Sequence, residues 1–357
     1  MHLVDYVPDP LSGSMTNPFA LIARADGGGI ASQTWEIWRQ LQPARTLIVD
    51  LSRGGHIIRG ATNPGLYMGG PGQVRLTANG FPDEEETAWL VADPAIRSVF
   101  TVEVLYGDAN RWGLAMWGGR VIVQANPELF NPDAFTDCDL LIAAPTSWER
   151  DKLTGGLVID LPVPVVLHAP RPVREIDRPR FYHPHGAAML DRNGTKFVAG
   201  AVGRTSRPIE IVLAQRAPTR NRQSNIQYLP PVETPTYEGV WAEHDPDVVV
   251  IPRRYGGLCL PLQEAAARGI PCIATDLPPQ NTWLPSSAVV PVKHDRDFPM
   301  KGGLFGIYSV QSADVAAAMD RFCDPLVRKE HAELVYAHAE TLAWDRWTDR
   351  YLDLLCP

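Results

Sequence analysis

Residues 247–276, which read DVVVIPRRYGGLCLPLQEAAARGIPCIATD, contain the pattern that decides the fold. The apolar run at 247–251 predicts a strand, the Gly256-Gly257 pair predicts a tight turn, and a helix is expected over 258–268. A second apolar run at 271–276 predicts the next strand. Strand, helix and strand in this order indicate a right-handed parallel crossover, the repeating unit of an α/β sheet.

The turn and the start of the helix have the chemistry of a phosphate site. Glycine allows a ligand to approach the backbone, and a helix start offers free N–H groups to an anion. Glu264 lies six residues into the helix, where its carboxylate suits the two hydroxyl donors of a ribose. The alternative is an ordinary strand–helix–strand unit in which the glycines only make the turn.

The same alternation extends through the rest of the chain. In the N-terminal half, strands are expected at 19–24, 46–51, 99–106, 120–125, 139–144 and 162–168, and helices at 31–41, 110–117 and 147–153. In the C-terminal half, further strands are expected at 180–185, 209–215, 225–229 and 288–292, and helices at 195–202, 237–243, 312–322, 325–340 and 344–355. Continuous apolar strands between helices predict an α/β fold with two Rossmann-like parallel-sheet domains that face a cleft.

The domain plan follows from this order and from the proline content. We expect an N-terminal acceptor domain at 1–168, a proline-rich linker at 169–180 and a donor domain at 181–342. The final segment, 343–357, predicts a helix that crosses back onto the N-terminal domain. Residues 52–83 are rich in glycine and are interpreted as a long loop.

Composition limits the class of protein. The 357 residues are 45% hydrophobic and 21% charged, which excludes a disordered or fibrous chain. No apolar run is long enough for a membrane span and no secretory signal is visible, so a cytoplasmic protein is expected. The five cysteines show no metal-ligand spacing and are interpreted as buried thiols. A net charge of −8 disfavours nucleic-acid binding as the main activity.

The segment 252–276 resembles the donor-binding element of GT-B-fold nucleotide-sugar glycosyltransferases, the group that includes glycogen-synthase-like and sucrose-synthase-like enzymes. Their pattern is Pro-Ser-Arg-x-Glu-Gly followed by Glu-Ala-x-Ala-x-Gly-x-Pro-Val-x-Ala-Thr-Asp, and this chain has PRRYGG and EAAARGIPCIATD. The resemblance implies that Glu264 holds the nucleotide ribose and that Gly257 and Leu258 present N–H groups to the diphosphate or sugar. The chain departs from the pattern at Gly256, where the family has the first glutamate of its pair.

A second family element is a Gly-Arg pair followed four residues later by Lys-Gly, whose cations face the diphosphate. Here Gly186 is followed by Ala187, and Arg192 falls at the lysine position. The resemblance therefore implies one of the two cations, with Lys196, His185 or Arg254 as sources of the second charge. Arg192 as a solvated loop residue is the alternative.

The N-terminal half contributes weaker candidates. Gly27, Gly28 and Gly29 resemble the glycine loop that approaches the donor in these enzymes. Asn126 stands where family members often place a histidine near the sugar. Glu128 is the first candidate for a base, with Glu103 and Asp108 as alternatives.

These resemblances imply a metal-independent enzyme, without a cofactor, that moves a sugar from a nucleotide-diphosphate sugar to an acceptor hydroxyl. Retention of configuration and a UDP-sugar are favoured. A non-catalytic nucleotide-sugar-binding protein and a sugar-nucleotide epimerase remain as alternatives, and the oligomeric state is either monomer or homodimer.

The acceptor follows from a finer resemblance. The segments DRNGT, GGLCLP and NTWLP are similar to glycosyltransferases encoded by bacteriophages of actinobacteria, which implies the host cytoplasm as the location. A hydroxymethylated DNA base, a phage protein or a small molecule then follow as acceptors. Basic clusters at 171–180 and 216–222 are interpreted either as phosphate contacts or as solvated loops.

Overall fold

The computed structural model describes residues 16–24, 29–50, 67, 70, 72–78, 80–102, 114, 117–125, 139–153, 157–184, 191–214, 226–229, 241, 244–297 and 306–357. Within these ranges the chain forms two parallel sheets, and the predicted fold class is confirmed. The first sheet has the order β3-β2-β1-β4-β5-β6-β7 and the second the order β10-β9-β8-β11-β12-β13. In each sheet the order reverses beside the first strand, and ligands of α/β proteins bind at such reversals.

The strands of the first sheet are β1 (Asn17–Arg24), β2 (Pro43–Val49), β3 (Gln73–Leu76), β4 (Ser98–Val102), β5 (Arg120–Gln124), β6 (Asp139–Ala144) and β7 (Leu157–Asp160). The second sheet contains β8 (Arg180–His183), β9 (Glu210–Ala214), β10 (Ile226–Leu229), β11 (Val248–Ile251), β12 (Cys272–Thr275) and β13 (Val289–Val290). A separate antiparallel pair is formed by β14 (Lys293–Asp297) and β15 (Gly306–Ser309).

The helices are α1 (Gly29–Leu41), α2 (Glu84–Leu90), α3 (Ser147–Arg150), α4 (Thr195–Val202), α5 (Leu260–Ala266), α6 (Ser312–Arg321), α7 (Pro325–Thr341) and α8 (Trp344–Leu355). In the longer helices, apolar residues at helical spacing form the face that packs against the sheet or the neighbouring helices. In α1, for example, Trp35, Ile37, Trp38 and Leu41 are buried.

Both faces of the first sheet are covered. Along β1, Ala20 and Ile22 belong to one apolar cluster, whereas Phe19 and Leu21 belong to another on the opposite face. The second of these clusters also contains residues of α8, so the C-terminal helix packs on the N-terminal sheet. The second sheet shares one large apolar core with its own helices.

Some expected elements differ from the observed ones. The strand expected at 162–168 is extended chain, in which Val165 alone pairs, with Ala343, and the edge strand is β7 instead. The apolar residues of 162–168 contribute to both cores, with Val165 in the core of the second sheet and Val166 against the core of the first, so burial without sheet pairing explains the apolar pattern. The expected loop at 52–83 contains β3, and the β14–β15 pair was not expected. The helices expected at 110–117 and 237–243 lie mostly outside the described residues.

Candidate functional site

The loop between β11 and α5, residues 252–259, is the centre of the candidate site. Arg253 lies beneath it and is only 4% exposed. Its Nε donates to the carbonyl oxygen of Tyr255 (2.8 Å), and its Nη1 donates to those of Gly257 (3.1 Å) and Leu258 (2.8 Å). Gln280 adds a hydrogen bond from Nε2 to the Gly257 carbonyl at 2.9 Å. The loop is therefore held by its carbonyl groups, from inside the C-terminal domain.

Gly256 has a φ of 109°, a backbone conformation that residues with side chains rarely adopt. The residue that replaces the family's first glutamate therefore sits where glutamate would be strained. The departure from the family pattern is a change of loop conformation as well as the loss of a carboxylate.

Cationic side chains surround this loop on the side of α4. The Arg192 guanidinium lies 5.7 Å from the centre of the Tyr255 ring, and the Arg192 carbonyl accepts a hydrogen bond from the Arg254 N–H at 2.8 Å. Lys196, which is exposed, has its ammonium 4.8 Å from the Phe197 ring. The Arg254 guanidinium lies 5.8 Å from the centre of the same Phe197 ring, so Lys196 and the loop approach this ring together.

Arg254 is placed differently from the other two cations. It is 6% exposed, donates from Nε to the Tyr308 carbonyl (2.8 Å) and forms an ion pair with Asp295 at 2.9 Å. These contacts attach the β14–β15 pair to the loop. A structural use of Arg254 is thus visible in addition to the donor contact expected from the sequence.

Glu264 lines a cleft between the two domains. The C-terminal side of the cleft is formed by Leu260, Glu264 and Arg268, and the opposite side by Ser32, Gln33 and Glu36 of α1. A Cβ placed on Gly29 would lie 3.5 Å from the Leu260 side chain, so the first residues of α1 and α5 meet across the cleft.

Glu149, on α3 of the N-terminal domain, lies near the loop of the other domain, a neighbourhood that no sequence motif indicates; Thr146 and Leu258 line the same cavity. The residue is fully buried, and the Thr146 hydroxyl donates to its carboxylate. Burial raises the pKa of Glu149, while the Thr146 hydroxyl, Arg253 and the Leu258 N–H partly oppose this rise. An N-terminal carboxylate therefore faces the same loop whose N–H groups were expected to bind the donor. The sequence signal for this residue was its position shortly after the end of β6, where acidic side chains often face a ligand site.

Several predicted site residues lie outside the described part of the chain. These are Gly27, Gly28, Asn126, Glu128 and Gly186, together with the alternatives Glu103, Asp108 and His185. Among the described residues, no group of three or more His, Cys, Asp or Glu side chains is arranged to hold a metal ion. The described helices include none with the length and apolar character needed to cross a membrane.

The basic cluster at 171–180 has intramolecular partners. Arg174 donates from Nε and Nη2 to Asp247, each at 2.7 Å, and pairs with Asp245 at 2.8 Å. Arg180 pairs with Glu210 at 2.9 Å. Arg180, Glu210 and Asp247 lie at the starts of β8, β9 and β11, the edge of the sheet opposite the cleft. The second cluster, 216–222, lies outside the described residues.

No protein-family model matches the sequence, and no curated protein is similar to it. Solved structures are similar in fold. Sucrose-phosphate synthase from Thermosynechococcus elongatus has 12% identity and a TM-score of 0.63, over 94% of this chain and 98% of that one. HepE from Anabaena, in complex with UDP-glucose, has 10% identity and a TM-score of 0.61, over 94% and 99%. Trehalose-6-phosphate synthase OtsA has 9% identity and a TM-score of 0.59, over 94% and 98%.

These likenesses establish the fold class. The chain has the two-domain architecture of GT-B glycosyltransferases, matched over nearly its whole length at identities that carry information on fold alone.

Proposed function

We propose that this protein is a glycosyltransferase that moves a sugar from a nucleotide-diphosphate sugar, preferably a UDP-sugar, to an acceptor hydroxyl. One observation carries the proposal: the starts of α1 and α5 meet across a cleft that contains Glu264, beside a loop flanked by Arg192 and Lys196. This arrangement supplies acceptors for a ribose and cations for a diphosphate within a GT-B fold. The HepE structure, which has this fold, contains UDP-glucose.

The proposed chemistry rests on stabilising the leaving diphosphate. Arg192 and Lys196 neutralise its charge, and N–H groups of the loop donate to its oxygens as charge develops on the leaving group. We propose that the diphosphate leaves without the help of a metal and that the sugar keeps its configuration. Such a reaction requires no dedicated base, because the leaving phosphate takes the proton of the acceptor hydroxyl.

Asn126 and Glu128 complete the proposed catalytic set. Asn126 would hydrogen-bond a sugar hydroxyl, and Glu128 is the carboxylate that would accept a proton if the reaction inverted configuration. Product stereochemistry, measured by NMR on the first turnovers, distinguishes the two reactions. An inverted product would contradict the proposed retention.

Glu264 provides the direct test of the donor site. Glu264→Ala removes a charged acceptor from the ribose, so we expect donor affinity to fall about tenfold or more. Glu340→Ala, an exposed glutamate on α7, is the matched control and should change nothing. The assay incubates the protein with a panel of UDP-, GDP- and ADP-sugars, measures the affinity for each by equilibrium binding, and measures the released nucleoside diphosphate. Equal affinities of the two variants would contradict the assigned role.

The alternatives give different outcomes in the same assay. A non-catalytic binder, suggested by Gly256 and Ala187, would bind a nucleotide sugar and release no diphosphate. An epimerase would change the sugar without needing an acceptor. Either outcome would replace the proposed transferase activity.

For the acceptor we propose the hydroxyl of a hydroxymethylated DNA base or of a phage protein. Arg174 and Arg180 of the first basic cluster already form ion pairs within the chain. We therefore assign the phosphate contacts with DNA to the second cluster, 216–222. Binding to hydroxymethylated duplex DNA should then weaken with salt, with a slope steeper than about −2. A flat salt dependence would exclude the DNA acceptor and favour the protein.

A further inference from the structure

A chain of buried hydrogen bonds lies behind the N-terminal wall of the cleft. The side chain of Gln33 donates from Nε2 to Oε1 of Gln124, at the end of β5. Gln124 donates from Nε2 to the Leu161 carbonyl (2.9 Å) and to the Tyr351 hydroxyl oxygen (3.2 Å). The Tyr351 hydroxyl donates to the Pro162 carbonyl at 2.8 Å. Gln124 and Tyr351 are almost completely buried, with exposures of 1% and 0%.

The two backbone carbonyls fix the direction of every bond in this chain. A carbonyl oxygen only accepts, so Gln124 must direct its NH₂ group toward Leu161, and Tyr351 must direct its hydrogen toward Pro162. The Gln124 oxygen is therefore the atom that faces Gln33. Because that oxygen also only accepts, Gln33 must present its NH₂ group to it, and the Gln33 amide has one orientation.

This orientation leaves the Gln33 carbonyl oxygen for the cleft. Gln33 is half-buried and lines the cleft on the wall opposite Glu264. Its oxygen accepts no hydrogen bond within the described part of the chain. The two walls thus both present acceptors, one neutral and one acidic. A ligand group that lies between Gln33 and Glu264 can donate hydroxyl hydrogens to both of these acceptors. Arg268 on the Glu264 wall and Glu36 on the Gln33 wall also line the cleft.

We propose that Gln33 is a specificity-determining residue whose carbonyl oxygen accepts a hydrogen bond from one hydroxyl of the donor, on its sugar or its ribose. The inference rests on the proposed glycosyltransferase function and goes further by assigning the polyhydroxylated part of the donor to this wall. An acceptor held in place before binding discriminates strongly against a ligand that lacks the matching hydroxyl, because the acceptor is then desolvated without a partner.

The test measures discrimination between hydroxylated and deoxygenated donors. The best substrate among UDP-glucose, UDP-galactose and UDP-N-acetylglucosamine is compared with its monodeoxy-sugar analogues and its 2′- and 3′-deoxyribose analogues. Each analogue gives a ratio of kcat/KM values relative to the parent donor. We expect the unsubstituted protein to disfavour at least one analogue by about threefold to tenfold.

Gln33→Met keeps the length of the side chain and removes the acceptor. We expect the ratio for the disfavoured analogue to rise close to one and the ratios for the other analogues to stay as they were. Gln40→Met is the matched control, because it makes the same change on the same helix at a position that does not line the cleft. It should leave every ratio unchanged, whereas a merely structural role of Gln33 would lower all rates without altering the ratios.

Two outcomes overturn the inference, and they differ from each other. Ratios in Gln33→Met equal to those of the unsubstituted protein would show that Gln33 does not select a hydroxyl, while the transferase function stands. Absence of turnover and of binding for all the parent donors would overturn the proposed function and this inference together. If Gln33→Met does not fold, Gln33→Asn, which withdraws the carbonyl, gives the same comparison.

Discussion

Single residues in the loop 252–259 explain how this chain departs from the family pattern it resembles. Gly256 has a φ of 109°, and Arg253, where the pattern has serine, binds three carbonyl groups of the loop. A buried guanidinium needs such acceptors, because an uncompensated charge in the interior is costly. The two departures therefore belong to one alternative construction of the loop.

His183, at the end of β8, is the residue for which the structure makes a clear pH prediction. Its Nδ1 is 2.7 Å from the Val250 carbonyl and its Nε2 is 2.9 Å from the Thr195 hydroxyl, so Nδ1 carries the proton. Burial lowers the pKa of His183 from 6.5 to about 4. The folded chain thus binds fewer protons than the unfolded chain, and stability is lost as the pH falls from about 6.5 toward 4.

We expect the lowered pKa of His183 to reduce the free energy of unfolding by about 2 kcal/mol when the pH falls from 7.5 to 5. His183→Gln should be less stable at pH 7.5 but should lose less stability on acidification, as measured by urea denaturation. The pKa of His338 is also lowered to about 4, so His338→Gln serves as a comparison at a second site. An unchanged pH dependence in His183→Gln would contradict the prediction.

At the scale of the element, the start of α4 depends on one glycine. Gly194 has a φ of 73°, and a Cβ there would overlap the carbonyl oxygen of Pro252, the first residue of the loop 252–259. The glycine therefore brings the first turn of α4, with Lys196, against the loop that follows β11.

Gly194→Ala should destabilise the protein by about 2 kcal/mol or more, because it combines backbone strain with a steric clash. Gly203→Ala, at the other end of α4, has an ordinary φ and open space around the added methyl group, so its stability should be nearly unchanged. Thermal unfolding of both variants tests the difference. Equal melting temperatures would show that the loop moves aside without cost.

Elements with their own periodicity were predictable from the sequence, and those that depend on neighbours were not. The helices α6, α7 and α8 lie close to their expected ranges because their apolar spacing and end signals are local. The β14–β15 pair escaped prediction because β14 is a charged, exposed segment. It is attached to the rest of the domain through Arg254 and Asp295, a contact that sequence periodicity does not report.

At the scale of the whole molecule, α8 connects the end of the chain to the first sheet. Trp344, Tyr351 and Leu355 are 4%, 0% and 1% exposed and belong to the core of the N-terminal domain. The Ser98 hydroxyl donates to the Leu355 carbonyl at 2.5 Å. Tyr351 also orients Gln124, so the helix supports the cleft wall as well as the core.

A chain that ends at Leu342 should therefore be unstable and inactive. Loss of one buried aromatic side chain typically costs 3–5 kcal/mol, and the truncation removes two, which is comparable with the total stability of many domains. Removal of Pro357 alone is the control and should be neutral. A truncated protein with full activity and an unchanged melting temperature would refute this role of α8.

The sequence by itself determined the fold class, and it marked the loop 252–259 as the candidate site, because apolar periodicity, glycine turns and a short motif are local properties of the chain. It also suggested Glu264 through the spacing of the 252–276 motif, and Arg192 through its place in a second motif of the family that the chain resembles. Only the tertiary structure decided that Gly256 needs its φ, that Arg253 holds the loop, and that Glu149 faces Leu258 across the domains. The orientation of Gln33 likewise depends on carbonyl groups about 130 residues away, and contacts between such distant residues leave no periodic signal in the sequence.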